Sequence, residues 1–264
     1  MLNSFFGFTK IPFQALSNLN SIYQTDSLTF LKSRFQDFCT TKGLALICGE
    51  SGCGKTTAIQ HIIAANLDPH RFKAFYFTQY PGSAKGFLRL LIAQMGYTPK
   101  FYMENILTQF PVILQDFKSQ SKMTPFFVFD EAQNISPSVL EEIRLITNQD
   151  PSLAPLMILV SHGAFKDRLK LACFQPLRHR LSLSTSIEPL SKSQITDYIS
   201  FHLKLVGSTN SVFSDDAIIA VFNVSKGLPR LINRICLEAL YLAAQKNIAQ
   251  IDQSIIDSIT IDYI

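Results

Sequence analysis

An α/β fold, with a parallel doubly wound sheet followed by a small helical part, is predicted by three features of this 264-residue chain. Short, almost wholly apolar runs recur as far as Ile187, separated by stretches whose apolar residues repeat at helical spacing. The first four of these runs lack the polar alternation of a half-exposed sheet, as strands covered on both faces do. Beyond Pro189 the runs stop and helical periodicity alone continues.

In chain order the expected strands are Leu44–Cys48, Ala74–Thr78, Phe126–Phe129, Met157–Val160 and Leu183–Ile187. Between them, Thr57–Ala65 and Ser83–Met95 carry helical stripes, the second through Phe87, Leu90, Leu91 and Met95. Ser136 reads as an N-cap with Pro137 at the first helical position, opening a helix to about Thr147. In the last part, Ser191 and Gln194 form a capping box ahead of Ile195, Tyr198, Ile199 and His202. Ser214 caps a second helix that stops at Gly227, Pro229 opens a third, and Asp252 caps a short last one. The expected domains are residues 1–188, an α/β domain with its N-terminal segment, and residues 189–264, a helical lid.

Composition narrows the class. With 47% hydrophobic and 17% charged residues, the chain is neither disordered nor a long coiled coil. No apolar run approaches the ~18 residues of a membrane helix, and Met1–Lys10 lacks the pattern of a secretory signal. The five cysteines are scattered without a C-x-x-C pair, so the expected compartment is a reducing cytoplasm. The net charge of +4 resides in the sheet domain, since the lid is close to neutral. Such a balance permits a polyanionic partner without demanding one.

Gly49-Glu50-Ser51-Gly52-Cys53-Gly54-Lys55-Thr56 matches G-x-x-x-x-G-K-[ST] in full, between an expected strand and an expected helix that begins at Thr57. Its glycines let successive backbone N–H groups and a helix N-terminus point at a phosphate. Lys55 is placed to reach the β- and γ-phosphates, and Thr56 to ligate Mg²⁺ through its hydroxyl. The run Phe126-Phe127-Val128-Phe129-Asp130-Glu131 puts two acids at the carboxyl end of a strand, where open α/β sheets bind ligands. There Asp130 can hold the Mg²⁺ shell through water and Glu131 can polarise an attacking water. Both acids together point to hydrolysis of a nucleoside triphosphate. The five histidines are dispersed, and no second catalytic constellation stands out.

Taken in order, the phosphate-loop motif, Phe129-Asp-Glu-Ala-Gln133, Leu177-Arg-His-Arg180, Glu188-Pro-Leu190 and Gly227-Leu-Pro-Arg-Leu-Ile-Asn-Arg234 resemble AAA+ ATPases of the ExeA/TnsC/TniB group. The opening Phe5-Phe-Gly-Phe8 and Pro12-Phe13 belong to the same likeness, which covers nearly the whole chain. It implies a P-loop NTPase sheet domain with a helical lid, binding ATP and Mg²⁺. It also implies that Arg230 senses the γ-phosphate from the lid and that Ser161 or His162 is the polar sensor following the fourth strand. Arg180, with Arg178 as second choice, falls where such proteins place the arginine that acts on a neighbouring subunit's nucleotide. Ile11, Pro12 and Phe13 resemble the segment near the adenine.

The resemblance further implies a homo-oligomer, ring or filament, on double-stranded DNA that presents a target to a transposase. Candidate phosphate contacts are Lys73, Lys85, Arg89 and Lys122. Members of the secretion-type branch carry a membrane segment that is not expected here. A protein-remodelling or secretion-assembly ATPase is the alternative.

Overall fold

The structure, a computed structural model, describes residues 2–14, 22–148, 150, 153–208 and 211–260. It divides into two compact units: Ser27–Gly49 with Lys55–Ile187, and Met1–Asp26 with Glu50–Gly54 and Glu188–Ile264. The chain opens with a short helix, α1 (Leu2–Phe6), that belongs to the second unit.

The first unit begins with nearly all of α2 (Asp26–Thr41) and alternates strands and helices: β1 (Leu44–Gly49), α3 (Lys55–Asn66), β2 (Phe72–Phe77), α4 (Ala84–Gln94), α5 (Met103–Ser121), β3 (Thr124–Phe129), α6 (Pro137–Thr147), β4 (Leu156–Ser161), α7 (Gly163–Arg168), α8 (Gln175–Arg178) and β5 (Leu181–Ile187). All five strands pair in parallel, in the order β2-β3-β4-β1-β5. This is the predicted α/β fold. The strands extend the expected runs by one or two residues, mostly at their amino ends, as ladder pairing recruits flanking residues such as Thr124, while β2 stops one residue before the expected Thr78.

Burial on both faces explains why the central strands are apolar throughout. On one face Leu46, Phe127, Phe129, Met157 and Leu159 pack with Phe87 and Leu91 of α4, Phe110 of α5 and Leu140 of α6. On the other, Phe126 meets Phe35 and Phe38 of α2 at ring separations of 5.9 and 6.2 Å. Helices α2 and α5 were not expected. The first hides its stripe (Leu28, Leu31, Phe35, Phe38) among threonines and phenylalanines, weak helix formers that tertiary packing overrides. The second carries Pro111 in its interior.

The second unit contains α9 (Lys192–Lys204), α10 (Asp215–Ser225), α11 (Pro229–Gln245) and α12 (Gln253–Thr260). Ser191 donates its N–H to Gln194 Oε1 at 3.0 Å, and Ser214 Oγ accepts from Ala217 N–H at 3.4 Å, at the two caps read from the sequence. The stripe of α11 runs through Ile232, Ile235, Cys236, Ala239, Leu240 and Ala243, while Leu231 and Leu242 are only partly buried. Gly227 has a second role beyond ending α10. At φ +79 it approaches the neighbouring chain so closely that a Cβ would lie 2.0 Å from the Leu190 carbonyl oxygen.

The N-terminal segment, which the sequence reading grouped with the sheet, packs here instead. Leu2, Phe8 and Phe13 share the hydrophobic cluster of the helices, and Thr9 donates its N–H and hydroxyl to Val206 O at 2.9 and 3.1 Å. Its aromatic side chains find apolar partners among α9 and α11, a choice no local pattern encodes.

Candidate functional site: a phosphate loop and an acidic strand end

Strands β3, β4 and β1 are neighbours, so whatever follows their carboxyl ends converges. Lys55, the first residue of α3, is 7% exposed, and its Nζ donates to Gly49 O at 3.0 Å. Thr56 donates its hydroxyl to Asp130 Oδ2 at 2.6 Å, across 74 residues of sequence. The other carboxylate oxygen of Asp130 accepts Glu131 N–H at 2.9 Å. Tyr80 donates its hydroxyl to the Asp130 and Phe77 carbonyls. Burial, and then the charges of Asp130 and Glu131, push its pKa well above the ordinary phenol range, so it stays a donor.

A hydroxyl and a carboxylate oxygen in contact form a hard-oxygen donor pair of the kind Mg²⁺ prefers. The two residues therefore fit a Mg²⁺ ion with Thr56 as a direct ligand. Among the described residues no three His, Cys, Asp or Glu side chains cluster into a metal-holding group.

Glu131 sits at φ 54, a left-handed conformation unusual for a side chain of this size. Its Oε2 accepts a hydrogen bond from Gln133 Nε2 and lies 3.5 Å from His162 Nε2. Gln133 Oε1 accepts His162 N–H at 3.3 Å, so one amide bridges both residues. The two sensor candidates separate here. Ser161 is 1% exposed, donates to the His162 carbonyl at 3.2 Å and lies 3.5 Å from Cys48 Sγ, whereas the His162 ring faces Glu131. Burial raises the Cys48 pKa, against an opposing effect of the Ser161 hydrogen bond.

Within the helical unit, Glu50–Gly54 bends tightly, with Cys53 N–H donating to Glu50 O at 3.3 Å. Gly52 and Gly54 adopt φ of +86 and +92. Arg230, in the first turn of α11, lies against this bend. Its N–H donates to Gly52 O at 3.2 Å, and a Cβ on Gly52 would meet Arg230 Cβ at 3.0 Å. Ser51, Thr56 and Thr57 are exposed, while Cys53 is buried.

Pro12 and Phe13 are buried in the helical unit and Ile11 is half-buried there. The Phe13 ring stacks 5.2 Å from that of His202. Arg178, in α8, donates to Lys170 O at 3.3 Å, and Arg180 is exposed just before β5. Neither arginine is hydrogen-bonded to Asp130 or Glu131.

Two residues of the site carried no assigned role in the sequence. Gln133 stood inside a quoted motif, and its amide could have been read as a partner for an acid two residues away. Tyr80, three residues beyond β2, left no signal.

The family model described as AAA domain matches residues 37–169, from α2 through the end of α7. General secretion pathway protein A of Aeromonas hydrophila is 27% identical over 251 residues, 92% of this chain. The chain spans 45% of that relative's length. Among solved structures, Cdc6p from Pyrobaculum aerophilum matches with a TM-score of 0.65 and 18% identity, over 94% of this chain and 68% of that one. The Aeropyrum pernix ORC1 protein in complex with DNA matches with a TM-score of 0.67 and 13% identity, over 94% and 67%. At such identities these two likenesses speak for the fold alone. The family match spans the phosphate loop, the Asp130–Glu131 strand end and the His162 turn, so the chain belongs to the AAA domain family and is an AAA+ P-loop ATPase.

Proposed function

We propose that this chain couples ATP hydrolysis to self-assembly on double-stranded DNA and, in that state, regulates transposition by presenting a target site to a transposase. The observation that carries the hydrolytic part is the contact of Thr56 with Asp130, next to a Glu131 held by Gln133 beside His162. Mg²⁺-bound ATP supplies the phosphoryl group and the electrophilic phosphorus. Residues Gly49 to Gly54 wrap the phosphates with backbone N–H groups, and Lys55 neutralises charge on them. Thr56 and Asp130 position the cation. Glu131 accepts a proton from the attacking water, and His162 reports on the γ-phosphate position from the same edge. Arg230 adds a positive charge from the helical lid.

Arg180, with Arg178 as the second candidate, acts on the nucleotide of a neighbouring copy. Exposure of Arg180 suits that role. The working parts are the α/β unit that ends at Ile187 and the helical lid that follows it, the N-terminal segment going with the lid, and the compartment is the cytoplasm. Among the described residues, no helix is long and apolar enough to cross a membrane.

The DNA part is supported by the motif resemblance, by the basic excess of the sheet domain and by a fold shared with an ORC1 protein solved in complex with DNA. A specific observation favours a second reading, secretion assembly on a protein partner: the Aeromonas relative covers 92% of the chain. Electron microscopy with a non-hydrolysable ATP analogue, with and without duplex DNA, and ATPase assays under the same conditions separate the two. Assemblies and turnover that depend on DNA support the first. Assemblies and turnover indifferent to DNA support the second.

A further inference from the structure

Between α4 and α5 the chain makes a short connection whose backbone is tied down at several points. Gln109 of α5 donates its amide to Thr98 O at 2.9 Å and accepts Lys100 N–H at 2.9 Å. Arg89 of α4 donates to Lys100 O at 2.5 Å. This rigid loop presents two adjacent rings to water. Phe101 and Tyr102 are 67% and 66% exposed, the most exposed aromatic residues among those described, and pack edge to face at 5.2 Å. Lys85 holds its ammonium 4.3 Å from the centre of the Phe101 ring.

An exposed aromatic pair fixed by three side-chain hydrogen bonds is costly to keep and is preorganised for a partner. The charge around it selects the partner. Lys85, Arg89 and Lys100 are cationic, and Glu104 in the first turn of α5 is the one acid in this stretch. Cations beside an apolar wedge match the phosphates and base edges of a DNA duplex.

We infer that the α4–α5 connection is a duplex-DNA contact in which Lys85, Arg89 and Lys100 engage phosphates while Phe101 and Tyr102 press against the base steps. The inference rests on the DNA reading above and assigns it a surface. Lys85 and Arg89 were among the phosphate contacts expected from sequence. The aromatic pair and the loop that orients it were not.

The test is fluorescence-anisotropy titration of a labelled duplex by the whole chain with an ATP analogue at several salt concentrations. The variants are Phe101→Ala, Tyr102→Ala, their combination, and Lys85→Ala. Each ring replacement should weaken binding roughly tenfold or more while leaving the salt slope unchanged. Lys85→Ala should reduce the slope of log K against log salt by about 0.9. Affinity for a fluorescent ATP analogue without DNA, which these residues do not touch, should stay at the wild-type level and confirms that the variants fold. If the wild-type chain binds no duplex, the DNA reading and this surface both fall. If the wild type binds and the double ring variant binds as tightly, only this surface falls. If the variants bind DNA normally but no longer assemble, the loop serves a protein contact and the inference is overturned.

Discussion

Glu131 Oε2 lies 3.5 Å from His162 Nε2, and both residues are hydrogen-bonded to the side chain of Gln133. A half-exposed carboxylate on a left-handed backbone would otherwise sample several rotamers, and the amide selects one. Its NH₂ donates to the Glu131 carboxylate while its oxygen accepts the His162 N–H. Glu131→Gln should therefore lower kcat by roughly 10²–10⁴ with ATP binding retained. Gln133→Glu places a second acid beside Glu131 and cannot donate when ionised, so kcat should fall roughly ten- to a hundredfold at unchanged nucleotide affinity. Steady-state kinetics together with binding of a fluorescent ATP analogue check both. Wild-type turnover in Gln133→Glu would remove the positioning role.

Gly52 and Arg230 are packed backbone to stem. Gly52→Ala brings a methyl group to 3.0 Å from Arg230 Cβ at a φ of +86, so the loop must shift on both counts. The expected outcome is at least about a tenfold loss of nucleotide affinity, equivalent to roughly 1.4 kcal/mol. Arg230→Ala leaves the loop conformation free and should instead lower turnover. Isothermal titration with an ATP analogue, paired with turnover measurements, distinguishes the two effects.

His202 is 4% exposed, stacked against Phe13, and its pKa is lowered to about 4 by burial. The unfolded chain binds this proton near the ordinary histidine value of ~6.5, so between about pH 6.5 and 4 it holds more protons than the folded chain. Stability contributed by the neutral ring is complete above pH 6.5 and is lost as pH falls towards 4, by about 3 kcal/mol in all. Denaturant titrations from pH 7 to 4.5 should show this loss, and His202→Phe should show less of it. An identical pH dependence in the variant would assign the acid sensitivity to other groups.

Gly227→Ala should destabilise the helical unit severely. The methyl group would fall 2.0 Å from Leu190 O, and the backbone is at φ +79. A loss of about 2–4 kcal/mol follows from the strain and the forced separation of the two chain segments. Urea unfolding followed by circular dichroism measures it. A variant as stable as the wild type would mean that the Leu190–Gly227 approach relaxes freely.

The local features of this protein were legible in its sequence. The apolar runs, the caps at Ser136, Ser191 and Ser214, the break at Gly227 and the glycine-rich loop each depend on residues within a few positions of one another. Periodicity and capping chemistry act over one or two turns, so a reader of the chain can find them. Glu131 and Asp130 were legible too, because a strand end followed by two acids is a local pattern.

Tertiary structure decided what depends on distant partners. Only the pairing order β3-β4-β1 brings Asp130 onto Thr56 and turns His162, rather than Ser161, toward Glu131. The same holds for Gln133 as a bridge, for Tyr80 beneath Asp130 and for the N-terminal phenylalanines packed among the lid helices. Helix α2 was hidden for a related reason: its residues form weak helices alone and are held by the sheet face they cover. Local sequence sets which backbone conformations are cheap. Which side chains meet is settled by burial and hydrogen bonding across segments far apart in the chain, and only the folded protein shows that.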